Sequence, residues 1–406
     1  MSSSRLRTLL KSTIPEHSRI LYLGDDGSNL QDSSNIEMVF ILPALTTNAS
    51  QCGIVEASAL LDKYISDYGT DQKFDYVIID DILPYIEDVF TTFLKIRELC
   101  HDDSKLIMSE VKRLTLLRRI RSLLISEEKK INNWIPRSLI ETLLYLADFS
   151  PRPKVNSCII SDALPVKQKR EYSYSVMVPC YNEEGNIAQC INRIPDLQRD
   201  YEIIVVNDGS SDRTAEVVQE LMVNNSRIRF VDNRVNRGKG YATKCGLDLA
   251  TKDVLVILDA DMTVMPEDLP LFIAPFESRH AEFVNGTRMV YPLADKAMGP
   301  VHMFGNTIFS LIFSYLLNQK VTDTLCGTKC MFRKDYQRIV MKDEAWPDFD
   351  LLFGASQLNL KIVEVPIRYQ PRISGESKMK TLKHGLMLLT ASFKGFLKLK
   401  LKFGIS

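Results

Sequence analysis

Asp259 and Asp261 stand two residues apart at the end of a short aliphatic run, Val254 to Leu258. Side chains at i and i+2 leave a strand on the same side, so both carboxylates can face one oxygen-rich ligand or one hard cation. The run is too short for a helix core and is bounded by charge, which predicts a buried parallel strand. Its carboxyl end is where open α/β sheets bind their ligands. Taken alone, an Asp-X-Asp pair is better explained as two acids opening a loop; the stretches around it reverse that weighting.

Three of those stretches lie upstream. Tyr174-Ser-Val-Met-Val-Pro-Cys-Tyr-Asn-Glu-Glu-Gly-Asn-Ile187 reads as a strand ended by Pro179, with Asn182 placed to cap a helix. Tyr201 to Thr214 reads as a second strand, a tight turn and then a helix capped by Ser211 or Asp212. The spacing of Ala215, Val218, Leu221 and Met222 argues for that helix over a hairpin. A third strand, Ile228 to Val231, leads into Asn236-Arg-Gly-Lys-Gly-Tyr-Ala242, a glycine-rich helix entry where Lys239 can meet phosphate. No Gly-x-x-x-x-Gly-Lys-Ser/Thr loop occurs, which counts against a P-loop phosphotransferase. Downstream, Asn285-Gly-Thr-Arg288 follows a strand, Thr322 to Phe332 is compact, and Trp346-Pro-Asp-Phe-Asp-Leu-Leu352 begins a helix. An alternating strand from Val363 to Tyr369 precedes Arg372-Ile-Ser-Gly-Glu-Ser-Lys-Met379.

In this order and spacing, residues 173–380 resemble the family 2 glycosyltransferases of the GT-A fold, and the downstream motifs resemble their polyprenyl-phosphate branch, the dolichyl-phosphate mannose and glucose synthases. The resemblance implies inverting transfer of a hexose from a nucleoside diphosphate sugar donor. It assigns Pro179, Tyr181, Glu183, Asp208, Lys239, Asp259 and Ala260 to the donor, and Asp259 and Asp261 to a divalent cation, Mg²⁺ or Mn²⁺. It sets Asp323 and Asp350 at the reacting centre and gives Arg288, Arg372, Ser377 and Lys378 to phosphate groups of a polyprenyl-phosphate acceptor. Asn207 departs from the pattern, since an Asp is common there. A lipid phosphate is already a nucleophile near pH 7; a soluble or protein-bound hydroxyl acceptor would instead need a base, with Asp323, Asp348 and Asp350 as candidates. A non-catalytic scaffold is the third reading, and the intact acidic pair speaks against it.

The elements upstream of 165 alternate strand and helix. Ser18 to Ser28 reads as a strand ending in a glycine-containing turn, and Ile36 to Leu42, Phe74 to Asp81 and Lys105 to Met108 read as strands, with helical patterns at Val89 to Leu99 and Pro136 to Ala147. Over 18–160 this resembles class I S-adenosylmethionine-dependent methyltransferases. Two departures stand out. Asp25 and Asp26 fill the turn after the first strand, between Gly24 and Gly27, and would face the cofactor's own carboxylate. The second strand ends at Leu42-Pro43, without the acid that holds the ribose hydroxyls in that family. The cofactor is therefore not expected, and the domain reads as kept for packing or partner binding.

Both halves are thus expected to be doubly wound α/β domains: 1–164, a linker at 165–172, a second domain at 173–379, and a basic amphipathic tail at 380–406. At 406 residues with 45% hydrophobic composition, two cores are affordable in size. Lys+Arg and Asp+Glu both total 51, so no global field recruits nucleic acid. The balance is uneven along the chain, because no acid follows Glu376. Leu382, Leu386, Leu389, Phe393 and Phe396 recur there at helical spacing among lysines, a pattern that suits either a membrane interface or a helix packed on its own domain. The basic run in 111–131 reads as a solvated face. Eight scattered cysteines and a start without an apolar leader point to reduced thiols and a cytoplasmic location, peripheral on a membrane. No stretch reaches the roughly 20 apolar residues of a spanning helix, and Cys326 with Cys330 lacks the further ligands of a metal site.

Equilibrium dialysis of the full chain against labelled S-adenosylmethionine is expected to show no saturable binding. Low-micromolar binding would contradict the reading of the Asp25-Asp26 turn.

Overall fold

The computed structural model describes residues 14–15, 17–24, 37–40, 57–71, 73–80, 86, 88–109, 137–152, 158–164, 170–288, 300–342, 347–367, 369, 389–390, 392–393, 395–397 and 399–400. Asp25, Asp26, Gly27, Leu42, Pro43, the basic run in 111–131, Arg372, Ser377, Lys378 and most of the 380–406 tail lie outside these residues. The chain divides into two compact units, Met1–Gln168 and Lys169–Ser406.

The first unit is built on a six-stranded sheet: β1 (Arg19–Gly24), β2 (Glu37–Phe40), β3 (Phe74–Asp80), β4 (Cys100–Ser109), β5 (Phe149–Pro151) and β6 (Cys158–Ala163). Its order is β2-β1-β3-β4-β6-β5. The β1, β2, β3 and β4 pairings are parallel, while β6 runs antiparallel to β4 and β5. Helices α1 (Ala57–Tyr68), α2 (Val89–Glu98) and α3 (Arg137–Leu146) connect them. The run Val77, Ile78, Ile79 is fully buried, as a central parallel strand covered on both faces requires. Asp88 caps α2, accepting from Thr91 N at 3.0 Å and Thr91 Oγ1 at 2.7 Å.

The second unit carries a seven-stranded sheet of β7 (Tyr174–Cys180), β8 (Tyr201–Asp208), β9 (Ile228–Asn233), β10 (Val254–Ile257), β11 (Phe283–Thr287), β12 (Lys329–Phe332) and β13 (Ile362–Pro366). The order is β13-β11-β12-β10-β7-β8-β9. Every pairing is parallel except those of β12, which runs antiparallel between β10 and β11. The sheet is therefore mixed, and β12 is a strand that sequence patterning reads only as a compact stretch. It is four residues long and opens on Lys329, a residue type that argues against a buried strand.

Helices α4 (Ile187–Asn192), α5 (Thr214–Asn224), α6 (Lys239–Leu249), α7 (Leu269–Glu277), α8 (Pro300–Leu317), α9 (Arg333–Tyr336) and α10 (Pro347–Gln357) complete the unit. Alternation along the strands sorts the core into two layers. Val176, Val178, Ile203, Val205 and Val256 pack with Ile187, Val218 and Phe272, from α4, α5 and α7. Met177, Ile204, Val206, Leu255 and Ile257 pack with Leu247, Phe313 and Phe349, from α6, α8 and α10. Gly246 lets α6 press onto the sheet: a Cβ there would lie 2.3 Å from Met177 Cγ and 3.1 Å from Val206 Cγ2. None of the described helices is long and apolar enough to cross a membrane.

One buried carboxylate ties three strands, near their amino ends, to the loop before β10. Glu202 of β8 accepts from Ser175 Oγ (2.7 Å), Thr251 N and Oγ1 (both 2.8 Å), and Arg229 Nη1 (2.8 Å). Burial alone would raise its pKa, but these donors outweigh burial and hold it at about 2, below the ordinary 4.5. A carboxylate whose folded pKa is depressed stabilises the fold above the ordinary value and loses that contribution as the pH falls. Glu202→Gln is expected to cost about 1–3 kcal/mol at neutral pH. The gap to the wild type should close between pH 4.5 and 2 in denaturant titrations; a gap that stays constant over that range contradicts the assignment.

Candidate active site

The carboxyl ends of β7, β8 and β10 open into a cleft of about 340 Å³. Pro179, Tyr181, Glu183, Asp208, Lys239, Asp259, Ala260 and Asp261 all line it, so residues more than eighty positions apart in the chain converge on one space.

The loops after β7 and β8 are stitched to one another. Asn182 takes the left-handed conformation (φ 54°). Its N donates to Ser210 Oγ, and its Oδ1 accepts from Ser211 N, each at 2.8 Å. Glu183 N donates to Thr214 Oγ1 at 2.8 Å, and Glu184 Oε2 accepts from Arg213 N at 2.9 Å. Asn182 is thus a loop clamp and not the helix cap expected from its position; α4 begins only at Ile187. The departure at Asn207 also has a local reason. Its Oδ1 accepts from Ser210 N (3.1 Å) and its Nδ2 donates to Asp232 Oδ1 (2.6 Å). An Asp in its place would set two carboxylates against each other.

Asp208, only 3% exposed, accepts from Arg237 N (3.0 Å) and Gly238 N (2.8 Å), fixing the chain where it enters α6. Gly238 adopts φ +98°, a conformation open to glycine at little cost. The first residue of α6, Lys239, is thereby aimed across the cleft, with Nζ 2.7 Å from Asp259 Oδ1. Burial opposes the charge of this lysine, but Asp259, Asp348 and Asp261 outweigh it and hold the ammonium above the usual lysine range. Asp261 is 8% exposed and accepts from Thr263 N (3.1 Å) and Oγ1 (2.7 Å). Gly327 lies close to this pair: a Cβ there would fall 2.1 Å from Asp259 Oδ2 and 2.8 Å from Lys239 Nζ. A side chain at 327 would have to displace the ends of these two side chains, a constraint that no sequence signal announces.

Asp323 and Arg288 pair with each other. Arg288 donates to the fully buried carboxylate through Nε (2.6 Å), Nη2 (2.8 Å) and its backbone N (3.1 Å). Burial would raise the pKa of Asp323, but Arg288 overrides it and keeps the group below the usual carboxylate range. The Arg288 guanidinium also stands 5.2 Å from the Tyr369 ring centre. Glu364, in the strand β13, fastens this loop by accepting from Thr322 N (2.7 Å), Thr322 Oγ1 (2.8 Å) and Asp323 N (3.2 Å). Its burial pushes its pKa up to about 7 against those donors. Asp350 accepts from Lys342 N at 2.6 Å and does not line the cleft. Its neighbour Asp348 turns inward instead, 2.6 Å from the wholly buried Lys329 Nζ. Lys329 and Glu364 escape sequence reasoning because each sits inside a strand pattern, where a charge reads as solvent-facing.

Two carboxylates at i and i+2 supply hard oxygen donors, and Mg²⁺ is commonly held by one or two carboxylates together with substrate phosphates. The donor set of Asp259 and Asp261 fits such a cation on those terms. No group of three His, Cys, Asp or Glu side chains that could hold a metal occurs among the described residues. Cys326 and Cys330 are buried thiols whose pKa burial pushes up, to about 12 for Cys326, which suits packing and not ligation.

Residues 175–340 match the model of glycosyl transferase family 2. The chain is 30% identical over 217 residues to the low-salt glycan biosynthesis hexosyltransferase Agl6 of Haloferax volcanii, covering 52% of this chain and 51% of that protein. It is 28% identical over 267 residues to the dolichyl-phosphate beta-glucosyltransferase ALG5C of Trichomonas vaginalis, covering 61% of this chain and 76% of that one. The chain therefore spans about half the length of the first of these relatives. Among solved structures, glucosyl-3-phosphoglycerate synthase from Mycobacterium tuberculosis aligns at 20% identity and a TM-score of 0.42, over 56% of this chain and 79% of that one. The second unit thus contains a glycosyl transferase family 2 domain.

The pair beneath the cleft gives a direct test. Removing one partner of a buried ion pair leaves an uncompensated charge, at a cost of about 3–5 kcal/mol. Lys329→Met is expected to lose stability of that order in urea titrations, and Lys329→Met with Asp348→Leu to regain most of it. A single variant as stable as the wild type would show that the pair is not formed.

Proposed function

We propose that the second unit transfers a hexose, with inversion, from a nucleoside diphosphate sugar to a polyprenyl phosphate at a membrane surface. The observation that carries this reading is the cleft itself. At the carboxyl ends of parallel strands it gathers Tyr181, Glu183 and the Asp208-pinned loop beside Lys239 and the Asp259/Asp261 pair. That arrangement offers a bracket for a nucleoside next to groups suited to a diphosphate. A Mg²⁺ or Mn²⁺ ion would be held by Asp259 and Asp261 and would neutralise charge on the leaving diphosphate.

In the transfer, an acceptor oxygen forms a bond to the anomeric carbon as the bond from that carbon to the diphosphate breaks, releasing the nucleoside diphosphate. A hydroxyl acceptor would have to lose a proton to a carboxylate. The three candidates for that work are all engaged: Asp323 with Arg288, Asp348 with Lys329, and Asp350 with the Lys342 amide. A lipid phosphate needs no such base, which favours it as the acceptor. The name of the Trichomonas vaginalis relative points to the same acceptor class.

A membrane surface fits the exposed apolar side chains. Ile308, Leu311 and Tyr315 lie at helical spacing on α8, and Leu389 and Phe393 are exposed in the helical residues near the end of the chain. Lys400 joins the two groups, with Nζ 2.5 Å from Asn318 Oδ1 and 4.5 Å from the Tyr315 ring centre. Such a face suits the headgroup level of an anionic bilayer.

The test is turnover of the full chain with a panel of nucleoside diphosphate hexoses, Mn²⁺ and a short-chain polyprenyl phosphate. A polyprenyl-phosphate hexose is the expected product, and Asp261→Ala should lower kcat/KM by about 10²–10³-fold with the fold intact. Transfer to hydroxyl acceptors alone would replace the lipid reading with the soluble-acceptor one. No transfer and no nucleotide binding would leave a scaffold.

A further inference from the structure

Within the cleft, the first carboxylate of the Asp-X-Asp pair already holds a cationic partner. Its Oδ1 meets Lys239 Nζ at 2.7 Å, and its Oδ2 lies against the Gly327 backbone, so near that a Cβ there would come within 2.1 Å. A divalent cation binding at Asp259 Oδ1 would have to displace this ammonium. Lys239 is free to leave without unfolding anything: it opens α6, its side chain is 42% exposed, and its four-carbon stem is flexible. What it needs is a second anion at the same cleft. Asp348 already shares its charge with Lys329, 2.6 Å away. A diphosphate entering beside Lys239 would supply one.

We propose that Lys239 is an internal counter-ion that Asp259 exchanges for the divalent cation, so that the metal binds well only when a nucleoside diphosphate arrives to take the ammonium. This rests on the donor-site reading above and adds an order to it: the metal alone is held off, and metal and diphosphate enter as a coupled pair. Coupling of this kind is reciprocal, so the nucleotide must tighten the metal by the same factor as the metal tightens the nucleotide.

The experiment follows free Mn²⁺ by electron paramagnetic resonance in titrations of the full-length protein, with and without saturating UDP. For the wild type, UDP should tighten Mn²⁺ by at least about tenfold, within the usual range of coupling between sites. Lys239→Met should tighten Mn²⁺ at least about fivefold in the absence of UDP, and shrink the UDP effect to about threefold or less. Lys239→Gln serves as a second variant should the first unfold, judged by circular dichroism. Lys244→Met, which removes a charge of α6 that is paired with Asp248 away from the cleft, should leave both affinities unchanged. Unchanged or weaker metal binding in both Lys239 variants overturns the exchange while leaving the donor site intact. An equal shift in Lys244→Met also overturns it, by reducing the effect to general charge. Failure of the wild type to bind Mn²⁺ even with UDP overturns the donor-site reading and this inference together.

Discussion

The cleft is organised by the need of buried and half-buried carboxylates for cations. Asp259 and Asp261 stand together at the carboxyl end of β10, with Asp348 near enough to act on the same lysine, and such a cluster would repel itself without counter-charge. Lys239 and Lys329 supply it, the first on Asp259 and the second on Asp348. The positions of both lysines follow from the fold. Asp208 fixes the entry of α6 and so aims Lys239, and the antiparallel strand β12 carries Lys329 beneath the site. A side chain at Gly327 would run into the ends of Asp259 and Lys239.

A second ionic unit, Arg288 with Asp323, is held by Glu364 from the neighbouring strand. Its effect on chemistry is to remove Asp323 from the list of bases: a carboxylate forked by a guanidinium stays ionised and already accepts hydrogen bonds from three directions. Charge at this end of the sheet thus positions other groups more than it moves protons. That fits a reaction whose nucleophile arrives as an anion.

Much of the scaffold was legible because it follows simple periodicity. The runs at 174–180, 201–208 and 254–257 are apolar, bounded by turn residues, and form the central strands, while the helix opening at Pro347 is announced by proline and early acids. The acidic pair, the Asp208 turn and the lysine after Gly238 were visible as motifs, and they line one cleft. What stayed hidden depends on contacts between distant segments. Strand β12 begins with a lysine that only Asp348 makes tolerable, and Asn182 clamps a loop because Ser210 and Ser211 lie opposite it. Asp348 and Asp350 are two residues apart on one helix, so patterning could not say which turns inward. Arg372, Ser377 and Lys378 fall outside the described residues, and their part in an acceptor site is carried by sequence resemblance alone.

The proposed site joins the Asp259/Asp261 pair, a divalent cation and a nucleotide sugar in one cleft. Crystals of the full chain grown with Mn²⁺ and UDP, with data collected at the manganese absorption edge, test it most directly. The account predicts one anomalous peak within coordination distance of Asp259 and Asp261 and of the diphosphate, with Lys239 turned from Asp259 towards a phosphate oxygen. Manganese and nucleotide bound elsewhere, with the Lys239–Asp259 pair unbroken, would contradict it.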